Sequence, residues 1–213
     1  MALVKYNNNS ISAVTAAASI PSGALTLIKT LTASSSATLS FVHGTDGVVL
    51  DSTYPIYQFE FINIHPSAEA SFTFNISIDA GSNYNVAKTT TFFRAFHYEN
   101  GTGGAGLGYD GSVDLAQGTG FQSLVEGGME NENDGNLSGS LNLYNPSSTT
   151  FVKHFLSTIN CDRGAQDGLQ FNAYIAGYGN TTSAVDAIQF KMSSGNIDAG
   201  KIKLYGIKDS WWA

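Results

Sequence analysis

The sequence predicts an all-β protein: an antiparallel two-sheet sandwich of the jelly-roll or Greek-key type with an extended N-terminal arm. The clearest evidence is alternation between Ser71 and Asp79, where Phe72, Phe74, Ile76 and Ile78 fall on one side of an extended strand and polar residues on the other. The same period returns roughly every dozen residues. No segment combines a sustained helical period with capping residues, so we expect no crossover helices and mostly antiparallel pairing.

Ten strands follow from this pattern. They cover residues 24–31, 37–43, 56–64, 71–79, 88–98, 137–144, 151–160, 169–178, 185–192 and 201–208. Turn-forming residues separate most of them, at Gly44–Gly47, Pro66, Asp79–Asn83, Asn145–Ser148, Gly164–Gly168 and Ser193–Asn196. Ten strands are sufficient for two stacked sheets.

We divide the chain into an arm, residues 1–22, and a single β-sandwich domain, residues 23–213. Pro21-Ser22-Gly23 is a turn or linker signal at the boundary. The arm is polar, but five of its residues have the spacing of an extended strand: Leu3, Val4, Tyr6, Ile11 and Val14. Such a strand suits docking on the surface of a partner, and it equally suits addition to the chain's own sheet.

The region from Asn100 to Gly135 breaks the alternation with eleven glycines and several acids. Long irregular segments in compact domains usually carry function, so we expect an outward contact surface here that includes Tyr98, Tyr109 and Phe121. A short strand around residues 121–125 is expected to interrupt it.

Composition excludes several classes of protein. The chain has 213 residues, 42% of them apolar, and a net charge of −7, which argues against nucleic acid as the main partner. Cys161 is the single cysteine, so no intrachain disulfide can form, and we expect a buried, inert thiol. Residues 1–9 lack the features of a secretory signal and no apolar run could span a bilayer, so we expect synthesis in a cytoplasm and no membrane insertion.

Three patterns imitate chemical sites. Gly101 to Gly106 fits the glycine-rich motif of dinucleotide-binding proteins, but the residues after it cannot begin the helix that such a site requires. Glu130 to Gly135 resembles the start of a calcium loop, but an EF-hand is excluded because Leu141 stands where a bidentate Glu is needed. A looser calcium site in this acidic loop stays open. The four histidines are isolated in sequence, so we expect no metal bound by them. The chain has no G-x-S-x-G nucleophile elbow and its strands carry few acids, so we expect no cofactor and no enzymatic activity.

The chain ends with two adjacent tryptophans, Trp211 and Trp212. In extended chain they point in opposite directions, so both are buried only if each side is covered. We expect a neighbouring subunit to cover them. Packing on the chain's own core and stacking on a sugar are the alternatives.

Several stretches together resemble a family of small virion-associated proteins of tailed, largely marine bacteriophages. The resemblance is carried by Val4–Ile11, Tyr57–Pro66, Asp79–Asn85, Tyr174–Ala184 and Ile188–Ile207. It is most specific in the last of these, where a strand, a Ser-Ser-Gly-Asn turn and a second strand follow in order, and loosest over 100–135. Members are mostly tail-fibre-like or structural proteins, so the resemblance implies a virion surface component and transfers no catalytic residues.

We therefore expect a non-enzymatic virion structural protein, either a host-attachment tail fibre or a capsid decoration protein. It would dock on other virion proteins through the arm and expose its loops outward. We expect a homo-oligomer, with a trimer suggested by analogy only, and a host glycan as an additional partner. The alternative is a carbohydrate-binding β-sandwich module, for which exposed Trp and Tyr side chains would stack on sugar faces.

Overall fold

The computed structural model describes residues 24–164 and 168–209, and within these ranges the protein consists of strands and loops without a helix. The strands in chain order are β1 (Leu25–Thr32), β2 (Leu39–Val42), β3 (Ile56–Pro66), β4 (Phe72–Ser77), β5 (Lys88–Tyr98), β6 (Ala105–Tyr109), β7 (Gln122–Ser123), β8 (Asn136–Tyr144), β9 (Lys153–Asp162), β10 (Leu169–Gly179), β11 (Ala187–Met192) and β12 (Ile197–Ile207).

Two antiparallel sheets face each other. The large sheet has eight strands in the order β1-β12-β3-β8-β9-β10-β5-β6, and the small sheet has four in the order β2-β11-β4-β7. All neighbouring strands in both sheets run antiparallel. The predicted all-β, two-sheet sandwich is therefore confirmed. The jelly-roll or Greek-key topology stays a prediction.

Each of the ten predicted strands corresponds to a strand of the structure, and β7 lies inside the short strand expected at 121–125. The prediction missed β6, and it began β12 four residues late. Both misses have the same cause: β6 is exposed on both faces, and the start of β12 is interrupted by two register shifts opposite β3, so neither shows clean alternation.

The core between the sheets is built around Phe190 on β11. Its ring lies 5.3 Å from the ring centroid of Phe61 on β3 and stacks at 5.7 Å on Phe72 of β4. Phe41 and Phe59 contribute further edge contacts. All five rings are buried, because the inward positions of each strand recur at every second residue. One continuous apolar core thus joins both sheets.

The segment from Val113 to Glu130 lies beneath the β5 side of the large sheet. Leu124 and Val125 are fully buried in the core, and Gln122 accepts a 2.6 Å hydrogen bond from the Thr90 hydroxyl on β5. A half-buried ion pair of 2.9 Å joins Arg94 on β5 to Glu126. Much of the glycine-rich region that we expected to project outward is therefore structural.

The arm residues Leu3, Val4, Tyr6, Ile11 and Val14, and the tail residues Trp211 and Trp212, lie outside the described residues, so their predicted roles stay predictions. In the part of the chain that the structure describes, no helix has the length and apolar character needed to cross a membrane.

Candidate functional site

The outer face of the large sheet, which points away from the small sheet, carries an exposed aromatic row. Tyr109 on β6, Phe93 on β5 and Tyr174 on β10 are direct cross-strand neighbours. The rings of Phe93 and Tyr174 stack with centroids 4.9 Å apart and planes at 12°. Their exposed fractions are 61% for Tyr109, 46% for Phe93 and 42% for Tyr174. Large rings left in water on a rigid sheet are a recognised mark of a contact surface.

Two leucines extend this row. Leu107 on β6 is 83% exposed and Leu156 on β9 is 50% exposed. Both occupy outward positions, since Leu107 pairs with Ala95 and Leu156 pairs with Ala176. We call Phe93, Leu107, Tyr109, Leu156 and Tyr174 the outer patch. The small partners Ala95 and Ala176 keep the patch flat between the larger side chains.

An apolar groove lies beside the outer patch, across β5, β10, β9 and β8. It has a volume of about 470 Å³, and its outward wall includes Thr91, Tyr144, His154, Leu156 and Tyr178. Its floor is shaped by a glycine on β10, Gly177, whose missing side chain makes room for the Phe155 ring below. A groove of this size is large enough to hold a small ligand or a few side chains of a partner.

The groove on this face is lined mainly by aromatic, aliphatic and threonine side chains. The groove contains one imidazole, His154, whose ring is tilted against Tyr178 at 6.1 Å. Among residues 24–164 and 168–209, no three His, Cys, Asp or Glu side chains come together in a way that could hold a metal ion. A surface made of rings and aliphatic side chains recognises a partner through burial and stacking.

A separate polar site lies inside the sandwich, around Lys88 at the start of β5. The fully buried Lys88 ammonium donates hydrogen bonds to Asn75 Oδ1 at 2.5 Å and to the Val86 carbonyl at 2.8 Å. Asn75 Nδ2 in turn donates to the carbonyls of Tyr84 at 2.6 Å and Thr119 at 3.0 Å. Burial lowers the pKa of Lys88 to about 8. Two long loops are fastened to the core through this site.

Cys161 on β9 is fully buried, and burial raises the pKa of its thiol. The predicted inert thiol is consistent with this environment, because the thiolate is the reactive form. Opposing Cys161, β8 contributes Leu137 and β10 contributes Phe171, both also buried.

The three predicted outward residues have different environments. Tyr109 is exposed and its hydroxyl donates to Asp114. Tyr98 packs partly against the core and edge-on to Phe96 at 6.2 Å. Phe121 is half-buried, with the Lys191 ammonium 4.2 Å from its ring centroid. The structure therefore places only Tyr109 in the outer patch and does not bring the three together.

The acidic loop from Glu130 to Gly135 is a tight turn. The Gly135 amide donates to the Glu132 carbonyl at 2.9 Å, and a Cβ on Gly135 would come 2.2 Å from the Glu130 carbonyl oxygen. His65 contacts the same Glu132 carbonyl at 3.0 Å through Nε2. A backbone hydrogen bond within the loop and a contact from the His65 side chain thus help to define its shape.

Sequence reasoning missed most of the outer patch, although a signal was present. Phe93 and Tyr174 stand at outward positions of strands whose inward positions are already apolar, next to Phe92 and Ile175. An aromatic residue on the face that should be polar marks an exposed ring. The sequence alone does not predict that β5 pairs with β10, and this pairing brings the two rings together.

We compared the chain with known proteins: no family model, no curated protein and no solved structure matches it.

Proposed function

We propose that this protein is a non-enzymatic structural component of a bacteriophage virion: a homo-oligomeric surface appendage on the tail or the capsid, which docks on other virion proteins through its N-terminal arm. The observation that carries the proposal is the outer patch, an exposed apolar surface on an antiparallel sheet. Such a surface serves attachment.

The strand order supports the proposal. Strands β1-β12-β3-β8 of the large sheet and β2-β11-β4-β7 of the small sheet follow one another in the order expected for the eight strands of a jelly roll. In this interpretation the remaining strands, β5-β6 and β9-β10, are two inserted hairpins that widen one sheet, and they carry the outer patch. Jelly rolls occur in viral capsid proteins and also in lectins, so the fold supports the proposal by analogy.

The sequence resemblance to virion-associated phage proteins is the second support. Most of the stretches that carry it fall on or directly between strands, with Tyr57–Pro66 on β3 and Ile188–Ile207 on β11 and β12. These segments build the core of the sandwich, and the resemblance is loosest over 100–135, which includes β6 and β7. Two residues of the outer patch, Leu107 and Tyr109, lie in this loosest region.

Immunogold electron microscopy tests the proposal. Antibodies raised against the purified full chain are applied to virions of a phage whose genome encodes it. Label at the tail supports a fibre or host-attachment role, and label over the capsid supports decoration. Virions without label, with the protein found only in infected-cell lysate, would overturn the proposal.

A carbohydrate-binding function is the second candidate, and one observation favours it. The stacked Phe93 and Tyr174 rings beside Tyr109 form an exposed aromatic platform next to a groove. Sugar rings stack on such platforms through their apolar faces. A glycan array probed with the full chain and with Phe93→Ala separates the candidates: binding lost in the variant supports this function, and an array without hits rejects it.

A further inference from the structure

β6 forms one edge of the large sheet, and most of its residues are exposed to solvent. Four of its five residues are exposed, on both faces of the strand. Within the described residues, β5 is its sole strand partner. Its sequence, Ala-Gly-Leu-Gly-Tyr, contains neither a charge nor a proline. A free edge of this kind is a template for pairing with another strand.

The hydrogen bonds of β6 show which backbone groups are available. The Tyr98 amide donates to the Gly104 carbonyl at 3.1 Å, and the Asp110 amide donates to the Phe92 carbonyl at 2.9 Å. Bonded pairs alternate along an antiparallel ladder, so Gly106 and Gly108 also bond to β5. The N–H and C=O groups of Ala105, Leu107 and Tyr109 therefore point away from β5, to the free edge.

The opposite edge of the same sheet is protected. β1 contains a register shift between Leu27 and Lys29, and Lys29 places a charge on the edge strand. Bulges and lysines are two of the devices by which proteins prevent pairing between sheet edges. The edges of the small sheet are short: β2 has four residues and β7 has two. β6, with five residues, is longer than either of these and has no bulge, lysine or proline.

We infer that β6 is a homodimerisation strand, which pairs antiparallel with β6 of a second copy of this chain about a two-fold axis at Leu107. A two-fold interface uses the same segment on both subunits, and antiparallel self-pairing meets this requirement. Centred on Leu107, the pairing sets Ala105 of each copy opposite Tyr109 of the other. The free N–H and C=O groups of all three residues then find partners.

The side chains fit the same register. Leu107 and Tyr109 lie on the outer face, where pairing brings the two Leu107 side chains next to each other and sets each Tyr109 ring over a small alanine. Burial of these two side chains removes roughly 300 Å² of surface per subunit. A standard interface covers about 800 Å² per partner, so we expect a weak and reversible dimer.

This inference rests on the homo-oligomer of the proposed function and names one of its contacts. Sedimentation velocity over a range of concentrations compares the full wild-type chain with the variant Leu107→Pro. This substitution removes the outward N–H of residue 107 and leaves the hydrogen bonds between β6 and β5 intact. We expect the dimer Kd to rise at least tenfold. Leu107→Ala, which keeps the N–H, is the matched control and should have a smaller effect. A thermal melt checks that both variants fold.

A cross-link provides a second measurement that does not depend on a proline. Paired residues at a bonded position are about 5.5 Å apart between Cα atoms, within the range of a disulfide. We expect Leu107→Cys to form a covalent dimer on mild oxidation, since the native Cys161 is buried. Thr30→Cys, on the exposed face of β1, is the control and should remain monomeric.

The outcomes distinguish the two proposals. An oligomer that persists unchanged in Leu107→Pro, together with equal cross-linking of the Leu107→Cys and Thr30→Cys variants, overturns the β6 interface and leaves the virion proposal standing. A wild-type chain that stays monomeric at all concentrations also overturns the interface. Virions without antibody label overturn the virion proposal, whatever the behaviour of β6.

Discussion

Lys88 is a lysine enclosed in the core, and no ion pair is formed with it among the described residues. Its pKa is lowered to about 8 by burial, against 10.5 in the unfolded chain. Between these two values the unfolded state binds a proton that the folded state has released. Stability therefore rises with pH across this window, because folding is favoured wherever the unfolded state holds more protons.

We predict that the wild-type protein gains about 2–3 kcal/mol of unfolding free energy relative to Lys88→Met between pH 7 and pH 10. Denaturant unfolding of both proteins at several pH values measures this difference, and other titrating groups cancel in it. Methionine removes the ammonium donor from the Val86 carbonyl and from Asn75 Oδ1, which still accepts from the Ile76 amide at 2.9 Å. This loss shifts the unfolding free energy of the variant by a constant amount. Parallel stability curves would contradict the prediction.

Cys161 has the opposite effect on the pH dependence. Burial raises the pKa of its thiol, so above pH 9, where the unfolded thiol ionises, the folded state retains the proton. The wild-type protein should lose about 1.4 kcal/mol per pH unit above pH 9 relative to Cys161→Ala. Unfolding curves at pH 8.5 and 10.5 test this. A thiol reagent should also leave the native protein unmodified and label it in denaturant.

At the scale of elements, the Phe190 ring of β11 is a central contact between the two sheets. Phe190 is fully buried and contacts aromatic rings on β2, β3 and β4. We predict that Phe190→Ala lowers the unfolding free energy by about 3–5 kcal/mol, because the neighbouring rings cannot close the cavity. Phe93→Ala, on the exposed outer patch, is the control and should cost less than about 1 kcal/mol in dilute solution.

A glycine on β10 is a second element-scale constraint. A Cβ on Gly177 would come 2.7 Å from the Thr89 carbonyl oxygen and 2.8 Å from the Phe155 ring. Gly177→Ala should therefore destabilise the protein by about 1–3 kcal/mol. Gly108→Ala on β6 faces open space and should be close to neutral. Equal thermal melts for the two variants would contradict this account of the β10 backbone.

Alternation predicted β4, whose polar face is buried as well, and it predicted the strands that have one wet and one buried face. β9 is an example, with its inward positions buried and its outward positions exposed along most of its length. β6 has no such contrast because both its faces are exposed. The Lys88 site could not be predicted either: Lys88 meets Asn75 on another strand and the loop carbonyls at Tyr84 and Thr119, and a single sequence does not encode these tertiary contacts.

At the scale of the whole molecule, a core shared by both sheets implies that they unfold together. Phe74 of β4 packs edge-on against Phe155 of β9 at 5.1 Å, and Phe61 of β3 packs against Phe72 of β4 at 5.3 Å. Neither sheet can separate without exposing these rings to water. The peripheral strand β6 contributes no side chain to the core. The free energy of local opening should therefore be the same in the core strands of both sheets and lower at the β6 edge.

Hydrogen exchange measured by mass spectrometry tests this distribution. In dilute solution we predict that peptides covering β9 and β11 exchange with the same free energy, equal to that of global unfolding, and that residues 105–109 exchange at least 100-fold faster. Raising the concentration should slow exchange in residues 105–109 and leave β1 unchanged, because pairing between two β6 strands covers the amides of Leu107 and Tyr109. If β6 exchanges as slowly as β9 in dilute protein, β6 is not a free edge. If β9 and β11 exchange with different free energies, the two sheets open independently.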